Sequence, residues 1–457
     1  MPSDFLSRLE TLYTESSLLT DPAECWSYGY DNSRRQGQAL AVVLPTTQQQ
    51  IADTVHLCQQ HKVRITARGA GTGTTGASVP LDNSIVLSTE KMDRIIKIDP
   101  DNRVMVVEPG VRNQAVQDAA AKHGFFWAPD PTSSSICTVG GNLAYNSAGP
   151  RAVKYGTPRE NTLGLSCVTG TGDILQTGAY TTKSVVGYDL TRLIIGSEGT
   201  LAIITQATLK LTPLAEQKRT IQAIYNSVEA AANAVANIMA QAITPCALEF
   251  MDDTAIALVK ETAQLDLPED AQALLMIEVD GDAFGIEKMA QALSESANVS
   301  GAIDIKLAKT AQQVKQLWQA RKALSPSLRK IAPKKINEDV VVPVSKIPAL
   351  IHGLKALSAQ YQIPIVNFGH AGNGNIHVNL LVQTEQLKTA TSCLADVFSL
   401  VMALNGSLSG EHGIGLEKRD YIGLELDQTA INLMKLIKDQ FDPQHLLNPE
   451  KVFPTNQ

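Results

Sequence analysis

The chain has 457 residues, 44% of them hydrophobic and 19% charged, with 39 basic against 46 acidic side chains. At roughly 150 residues per domain this length predicts two or three domains, with enough buried apolar surface to need no disulfide framework. A formal charge of −7 and only 5% aromatic residues exclude nucleic acid as the main partner, because phosphate binding needs a basic surface and base stacking needs rings.

No apolar stretch approaches the ~18 residues of a membrane span. The start Met1-Pro2-Ser3-Asp4 runs into Arg8 and Glu10 without the cationic and apolar regions of a signal peptide. The six cysteines are far apart and form no C-x-x-C, which argues against an iron–sulfur cluster or a thiolate zinc site. The expectation is a cytoplasmic protein with reduced thiols, at most peripheral to a membrane.

The first half alternates between strand and helix patterns. Ala39–Leu44 reads as a short buried strand stopped by Pro45, and Thr47 with Gln50 has capping-box spacing before a helix whose face carries Ile51, Val55 and Cys58. Strands are predicted at 63–66, 85–87, 95–98 and 104–107, then a helix over Asn113–His123 closed by Gly124. Residues 129–215 are rich in Gly, Ser, Thr and Asn, the texture of long backbone-lined loops in an α+β domain. After Pro213 a second alternation follows: strand 219–225, helix 227–242, strand 246–251, helix near 253–263 and strand 273–279. Loops are predicted at 331–348 and 367–376, and a last helix at 427–441.

Gly71, Gly73 and Gly76 satisfy G-x-G-x-x-G by letter. The dinucleotide fingerprint also needs a helix to start there, and Ala77-Ser78-Val79-Pro80-Leu81-Asp82-Asn83 is a poor helix. A non-helical anion cradle, built from loop amides, Arg68 and the Thr hydroxyls, reads better. A plain surface turn is the alternative. Two further polar loops, Pro129–Gly149 and Gly196–Leu201, suit a large ligand with many hydrogen-bonding edges. Three such loops within 135 residues suggest a domain whose loops enclose a cofactor.

These three segments, in this order, resemble the flavin-binding domain of the vanillyl-alcohol oxidase/p-cresol methylhydroxylase superfamily. The D-lactate dehydrogenase, glycolate oxidase flavin-subunit and D-2-hydroxyglutarate dehydrogenase branch is the nearest match. The resemblance runs to the ending Asp442-Pro443-…-Leu447-Asn448-Pro449-…-Lys451. It implies an α+β chain: a two-part FAD-binding domain at 1–214, an α+β substrate and metal domain with a helix-covered sheet at 215–420, and a C-terminal helix and tail at 421–457 that returns to the FAD domain. The FAD pyrophosphate would lie on Arg68, Gly69, Ala70, Gly71, Thr72 and Gly73. Pro129, Asp130, Ser135, Thr138, Gly141, Asn142, Asn146, Glu198, Ile204 and Asn448 would contact the rest of the cofactor. Many members tether FAD through a histidine at the glycine loop. None occurs between 62 and 122, so FAD is expected to be non-covalent.

In the second half, Ile363–Phe368 and Ile376–Leu381 are β-like and flank Asn373-Gly374, a strong hairpin signal. A two-residue turn there sets His370 opposite His377, with Cβ atoms ~5 Å apart on one face, and Asn379 on the same side. Glu411, in Ser409-Gly410-Glu411-His412-Gly413, can approach as a third ligand. Two imidazoles and a carboxylate suit Zn²⁺, Mn²⁺ or Fe²⁺ with open positions. A structural histidine pair without metal is the alternative. The resemblance implies that His370, His377 and Glu411 bind a divalent metal (Zn or Mn), that Asn379 touches substrate, and that His412 is the base. It also implies that Arg321, on a helix, pairs with a substrate carboxylate, with Ser325 one turn later and Lys335 nearby.

The expected reaction is oxidation of a D-2-hydroxy acid, D-lactate first and D-2-hydroxyglutarate or glycolate otherwise. The electrons would pass on to a quinone, a cytochrome or an electron-transfer flavoprotein. A metal-dependent hydrolase and a non-catalytic flavoprotein subunit are the competing readings. The sequence leaves the oligomeric state open, a homodimer included.

Overall fold

A computed structural model describes residues 2–263, 267–328 and 331–454. The chain forms two compact units, one of Met1–Ala148, Gly156–Leu214 and Glu411–Gln457, the other of Gly149–Tyr155 and Ala215–Gly410. The fold class is α+β. The sequence reading set its domain borders at 214/215 and 420/421; the compact units part at 214/215 and 410/411, and the second also takes in 149–155.

Besides a short two-stranded ladder of Phe125–Phe126 with Thr212–Pro213, the first unit has two main sheets. The smaller holds β1 (Leu18–Leu19), β2 (Val42–Val43), β3 (Arg64–Arg68) and β4 (Ser84–Ser88) in the order β1-β2-β4-β3. Its β2–β4 and β3–β4 ladders are parallel. The crossover from β2 to β3 is the helix Gln48–His61. Thr47 caps it by accepting the Gln50 N–H, while the Gln50 side chain accepts from the Thr46 N–H at 2.9 Å rather than completing a reciprocal box. The predicted strand over 39–44 pairs only at Val42–Val43, although Val42, Val43 and Leu44 are all buried.

The larger sheet of this unit is antiparallel. It contains β5 (Ile95–Asp99), β6 (Val104–Val107), β7 (Thr162–Thr169), β8 (Ile174–Gly178) and β9 (Ala202–Lys210), in the order β5-β6-β9-β7-β8. The helix Asn113–Ala121 and Trp127 pack in its core with Met105, Val107, Ile204 and Leu209. Gly124 takes φ +80° just past that helix, the backbone conformation expected of a helix-ending glycine.

The C-terminal segment is part of this unit. Asp427 caps the helix Gln428–Phe441, and Leu447 then bridges to Ile65 beside β3. Lys438 is buried and donates to the Thr200 and Leu447 carbonyls and to Asp442.

The second unit is built on a seven-stranded antiparallel sheet. Its strands are β10 (Gln217–Tyr225), β11 (Ala247–Asp252), β12 (Ala273–Gly281), β13 (Ala302–Leu307), β14 (Lys334–Val341), β15 (Ile365–His370) and β16 (Asn375–Val382), in the order β13-β10-β12-β11-β15-β16-β14. Residues 331–348, expected as a loop, instead carry β14 between Pro333 and Pro343. The prolines mark its ends rather than a loop, because proline is tolerated where ladder bonds stop. Likewise the expected loop 367–376 shrinks to a turn between β15 and β16. One face of the sheet packs Met251, Leu274, Met276, Phe368 and Leu381 against Leu317, Ala320 and Leu324 of the helix Ala311–Leu328.

No described helix is long and apolar enough to cross a membrane. All six cysteines are free and buried.

Candidate active site

The β15–β16 turn departs from the expected register. Ala371–Asn373 form a 3-10 turn and Gly374 takes φ +73°, so four residues make the connection instead of two. His370 pairs with Asn375, and His377 with Phe368 on one side and Asp339 on the other. His370 and His377 are therefore diagonal neighbours, not opposed ones. Paired residues share a sheet face and alternate residues return to it, so the two histidines still meet. Their rings lie 5.2 Å apart, nearly perpendicular. The Asn-Gly signal located the turn but not its length, because an added helical turn shifts pairing by two residues and preserves the face.

That same face carries Glu249 on β11, Phe368 and His370 on β15, His377 and Asn379 on β16, and Lys335, Asn337 and Asp339 on β14. It is a polar island beside an apolar core. His370, His377 and Asn379 are buried. The Asn379 amide nitrogen donates to the Val366 and His377 carbonyls, both at 3.1 Å. Its Oδ1 is buried without a hydrogen-bond partner. Lys335 is half-buried on the edge strand, opposite Leu381.

The chain leaves this sheet through Ser407–Gly410. Ser407 bridges to Val341. The buried Asp339 accepts the Ser409 hydroxyl at 3.1 Å and the Gly410 N–H at 2.8 Å, and Glu411 is the next residue. His370 and His377 bring two imidazoles together on this face, and Glu411, the carboxylate expected with them, follows Gly410 directly in the chain. This donor set, two imidazoles and a carboxylate, fits a divalent cation with positions left open.

Two carboxylates that sequence reasoning missed hold this cluster. Asp339 anchors the exit loop. Glu249 is 1% exposed; its Oε1 takes the His370 Nδ1 at 2.6 Å and its Oε2 takes the Arg321 Nε at 2.6 Å. Burial alone would raise the Glu249 carboxyl, but His370 and Arg321 hold it below the usual range. An ionised Glu249 makes Nδ1 the donor, leaving Nε2 as the lone-pair nitrogen for a ligand. The signal was present in Ala247-Leu248-Glu249-Phe250-Met251: a lone carboxylate in an apolar strand is buried at a cost unless it is paired.

Arg321 lies on the helix Ala311–Leu328, as expected, but is buried rather than solvated. Its guanidinium sits 4.8 Å over the Phe368 ring while Nε is committed to Glu249. The terminal nitrogens remain the geometry suited to a carboxylate. The side chain of Ser325 lies outside the described residues.

In the first unit the glycine loop follows β3 without a helix, as the proline and Asp-Asn pattern predicted. Gly71 and Gly76 take φ +68° and +79°. A Cβ on Gly69 would lie 2.4 Å from Thr138 Oγ1, so only glycine lets these two loops approach so closely. Thr138 also accepts the Gly141 N–H. Arg68 donates to the Tyr30 carbonyl at 2.7 Å, and burial lowers its pKa. The Thr74 hydroxyl is shielded and has no hydrogen-bond partner.

Gly69, Ala70 and Thr138 line a cleft of about 590 Å³ together with Gly110, Val111 and Arg112. The segment 110–112 was not singled out from sequence; its signal is the Pro109-Gly110 pair directly after β6. Asn142 is buried and accepts from the Asn113 amide at 3.2 Å. Asn146 takes φ +57° and accepts the Thr157 hydroxyl at 2.9 Å. Ile204 is buried in β9 within the core of the larger sheet. Pro129 accepts the Asn113 amide through its carbonyl at 3.0 Å, the Asp130 N–H donates to Ala148, and Ser135 lies in the turn that follows. Shielded polar groups, a glycine-only approach and an adjoining cleft fit a pyrophosphate-bearing cofactor.

Glu198 sits in the third polar loop at φ +54°. Its carboxylate accepts the Ile414 and Gly415 N–H groups at 2.6 and 2.8 Å, so it fixes the backbone just after His412. Its carbonyl accepts from Asn448 at 2.6 Å, and Asn448 Oδ1 accepts the Ala67 N–H at 3.2 Å. The tail thus ties two predicted cofactor loops together. The His412 carbonyl accepts the Thr75 hydroxyl at 3.2 Å, and its ring Nε2 lies 4.0 Å from Glu411 Oε1.

Burial raises the Glu198 carboxyl to about 7. A carboxyl raised in the fold favours the folded state most below its unfolded value near 4.3, and that contribution is lost as pH rises through about 7. Glu198→Gln imitates the protonated form. Between pH 4.5 and 8 its unfolding free energy is expected to fall less than that of the parent, by on the order of 3 kcal/mol. Chemical denaturation at the two pH values checks this, and parallel pH dependences in the two proteins would contradict it.

Comparison with known proteins bears on the family, the fold and the cofactor. The chain matches the model for FAD linked oxidases, C-terminal domain, over residues 214–452, and that for an FAD binding domain over residues 39–178. It is 36% identical over 430 residues to the glycolate oxidase subunit GlcD of Bacillus subtilis, covering 93% of this chain and 92% of that protein. It is 35% identical to the D-lactate dehydrogenase of Archaeoglobus fulgidus over 421 residues, 92% of each chain. It is 30% identical to the D-2-hydroxyglutarate dehydrogenase of Stutzerimonas stutzeri over 465 residues, 98% of each. Among solved structures, p-cresol methylhydroxylase with substrate bound superposes with a TM-score of 0.81 at 16% identity, covering 100% of this chain and 97% of that one, a likeness of fold.

The chain belongs to the FAD-linked oxidase family. Within it, the chain is an FAD-linked oxidoreductase of the branch that holds GlcD, D-lactate dehydrogenase and D-2-hydroxyglutarate dehydrogenase. The hydrolase reading is thereby set aside.

Proposed function

We propose that the protein oxidises a D-2-hydroxy acid, D-lactate first among candidates, to the 2-oxo acid. The observation that carries this reading is the buried His370–His377 pair on a sheet face shared with Glu249 and Asn379, with Arg321 held against Glu249 from the covering helix. A 2-hydroxy acid offers a hydroxyl and a carboxylate on adjacent carbons, which suits a cation site with an arginine nearby. Non-covalent FAD supplies the two-electron acceptor, and a divalent metal, Zn or Mn, the Lewis acid.

The chain's own residues do the rest. Arg321 holds the substrate carboxylate through its terminal nitrogens, while Glu249 and Phe368 fix the guanidinium. His370, His377 and Glu411 would hold the cation, whose Lewis acidity would favour loss of the hydroxyl proton. Asn379 Oδ1 is an acceptor within the same polar face. His412 takes the hydroxyl proton. With that proton taken, the C2 hydrogen would leave with its electron pair to the two-electron acceptor, FAD, as the carbonyl forms.

Anaerobic addition of D-lactate is expected to bleach the flavin absorption near ~450 nm. Prior treatment with a chelator should slow the bleaching by about 10-fold or more, with recovery on adding Zn²⁺ or Mn²⁺. A panel with D-2-hydroxyglutarate and glycolate ranks the substrates. Bleaching by none of the three, or bleaching indifferent to the chelator, defeats the reading.

A further inference from the structure

Glu249 is a buried charge of the polar face, and each of its oxygens has a different cationic or donor partner. It sits at 1% exposure in the strand Ala247–Asp252, between Leu248 and Phe250. The register places it beside His370. Oε1 meets the His370 Nδ1 and Oε2 meets the Arg321 Nε, both at 2.6 Å. A fold-stabilising role explains this arrangement poorly. Taking charges out of water is expensive, and apolar groups of similar volume are often neutral or stabilising in place of a buried ion pair. Met251, two residues along on the same face, packs in the core with no charge at all.

We propose that Glu249 is a positioning residue for two groups at once, one oxygen setting the tautomer and orientation of His370 as a metal ligand and the other fixing Arg321 for the substrate carboxylate. This rests on the function proposed above and adds a prediction that function alone does not make: metal affinity and substrate affinity depend on the same carboxylate. The chemistry is specific. A carboxylate accepts from both partners. The amide of Gln accepts at one end and donates at the other. If its oxygen faces His370, its NH₂ meets the guanidinium donor to donor. If its oxygen faces Arg321, its NH₂ donates to Nδ1, and Nε2 then carries the proton and cannot ligate.

The test compares Glu249→Gln with the parent as flavin-loaded full-length chains. Zn²⁺ affinity is measured by competition with a chromophoric chelator in the absence of substrate, and KM and kcat are measured for D-lactate or the best substrate of the panel. Flavin absorption and thermal melting report the fold. The expected result is Zn²⁺ binding about 10–100-fold weaker and a raised KM in zinc-saturated enzyme, with the flavin spectrum retained. Parent-like Zn²⁺ affinity together with a parent-like KM overturns the inference.

If Glu249→Gln does not accumulate with flavin, Glu249→Asp takes its place. Its arm, shorter by one methylene, reaches one partner at a time, so at least one of the two constants must shift several-fold; neither shifting overturns the inference. His377→Ala separates this from the underlying reading, because it leaves both Glu249 contacts in place. If the parent and His377→Ala bind Zn²⁺ alike, the metal reading fails and takes the inference with it. If His377→Ala loses Zn²⁺ while Glu249→Gln keeps it and its KM, only the role of Glu249 fails.

Discussion

Turnover in His412→Ala is expected to fall by about 10²–10⁴-fold, the range for removal of a positioned general base, with flavin absorption and metal content expected to stay at parent levels. The loop around His412 is held by other groups. The Thr75 hydroxyl donates to the His412 carbonyl, and Glu198 takes the N–H groups of Ile414 and Gly415. Gly413 takes φ +79°, and a Cβ there would lie 2.6 Å from both Tyr145 and Glu198. Removing the imidazole therefore leaves the backbone in place, and the loss falls on kcat. Steady-state kinetics beside an absorption spectrum and metal analysis give the answer. Undiminished turnover with flavin and metal in place removes His412 from the base role.

His377→Ala is expected to lose bound metal on dialysis and to lower kcat/KM by more than the roughly 10–100-fold typical of changes outside the ligand shell. His377 lies on a strand with neighbours on both sides, paired with Phe368 and Asp339. Its backbone bonds survive the substitution, and the flavin-binding unit contains none of its ladder partners. A clean result is thus a protein that keeps its yellow colour and its melting transition, but neither holds metal nor reduces flavin with substrate. Metal analysis and anaerobic flavin reduction measure the two losses. Parent-level metal in the dialysed variant removes His377 from the ligand set.

The parts legible in the sequence are those with local causes. Thr47 before a periodic apolar face placed the helix Gln48–His61, and Gly124 marked the end of the next. Pro80 and Asp82-Asn83 excluded a dinucleotide-type helix after the glycine loop. His370 and His377 share a face because even-numbered shifts in register preserve faces, so the hairpin argument reached the right side of the sheet through the wrong pairing. What was not legible depends on long-range contacts. Glu249 meets Arg321 and His370 from 72 and 121 residues away, and no local pattern encodes such distances. The strand Lys334–Val341 was masked by its flanking prolines and lysines. Its partner, Asn375–Val382, comes later in the chain and supplies the ladder that overrides its weak local preference.

The C-terminal segment has a consequence for how the protein is made. Leu447 extends alongside Ile65, Asn448 joins the loops at Ala67 and Glu198, and the buried Lys451 ammonium caps the Ala77 and Val79 carbonyls. The first unit is therefore finished by residues that follow the whole of the second in the chain, whereas the second ends at Gly410. The usual vectorial order, N-terminal domain first, is reversed here. The later-encoded unit can close during synthesis, while the earlier one waits, with part of its apolar core open, until residues 446–451 have followed.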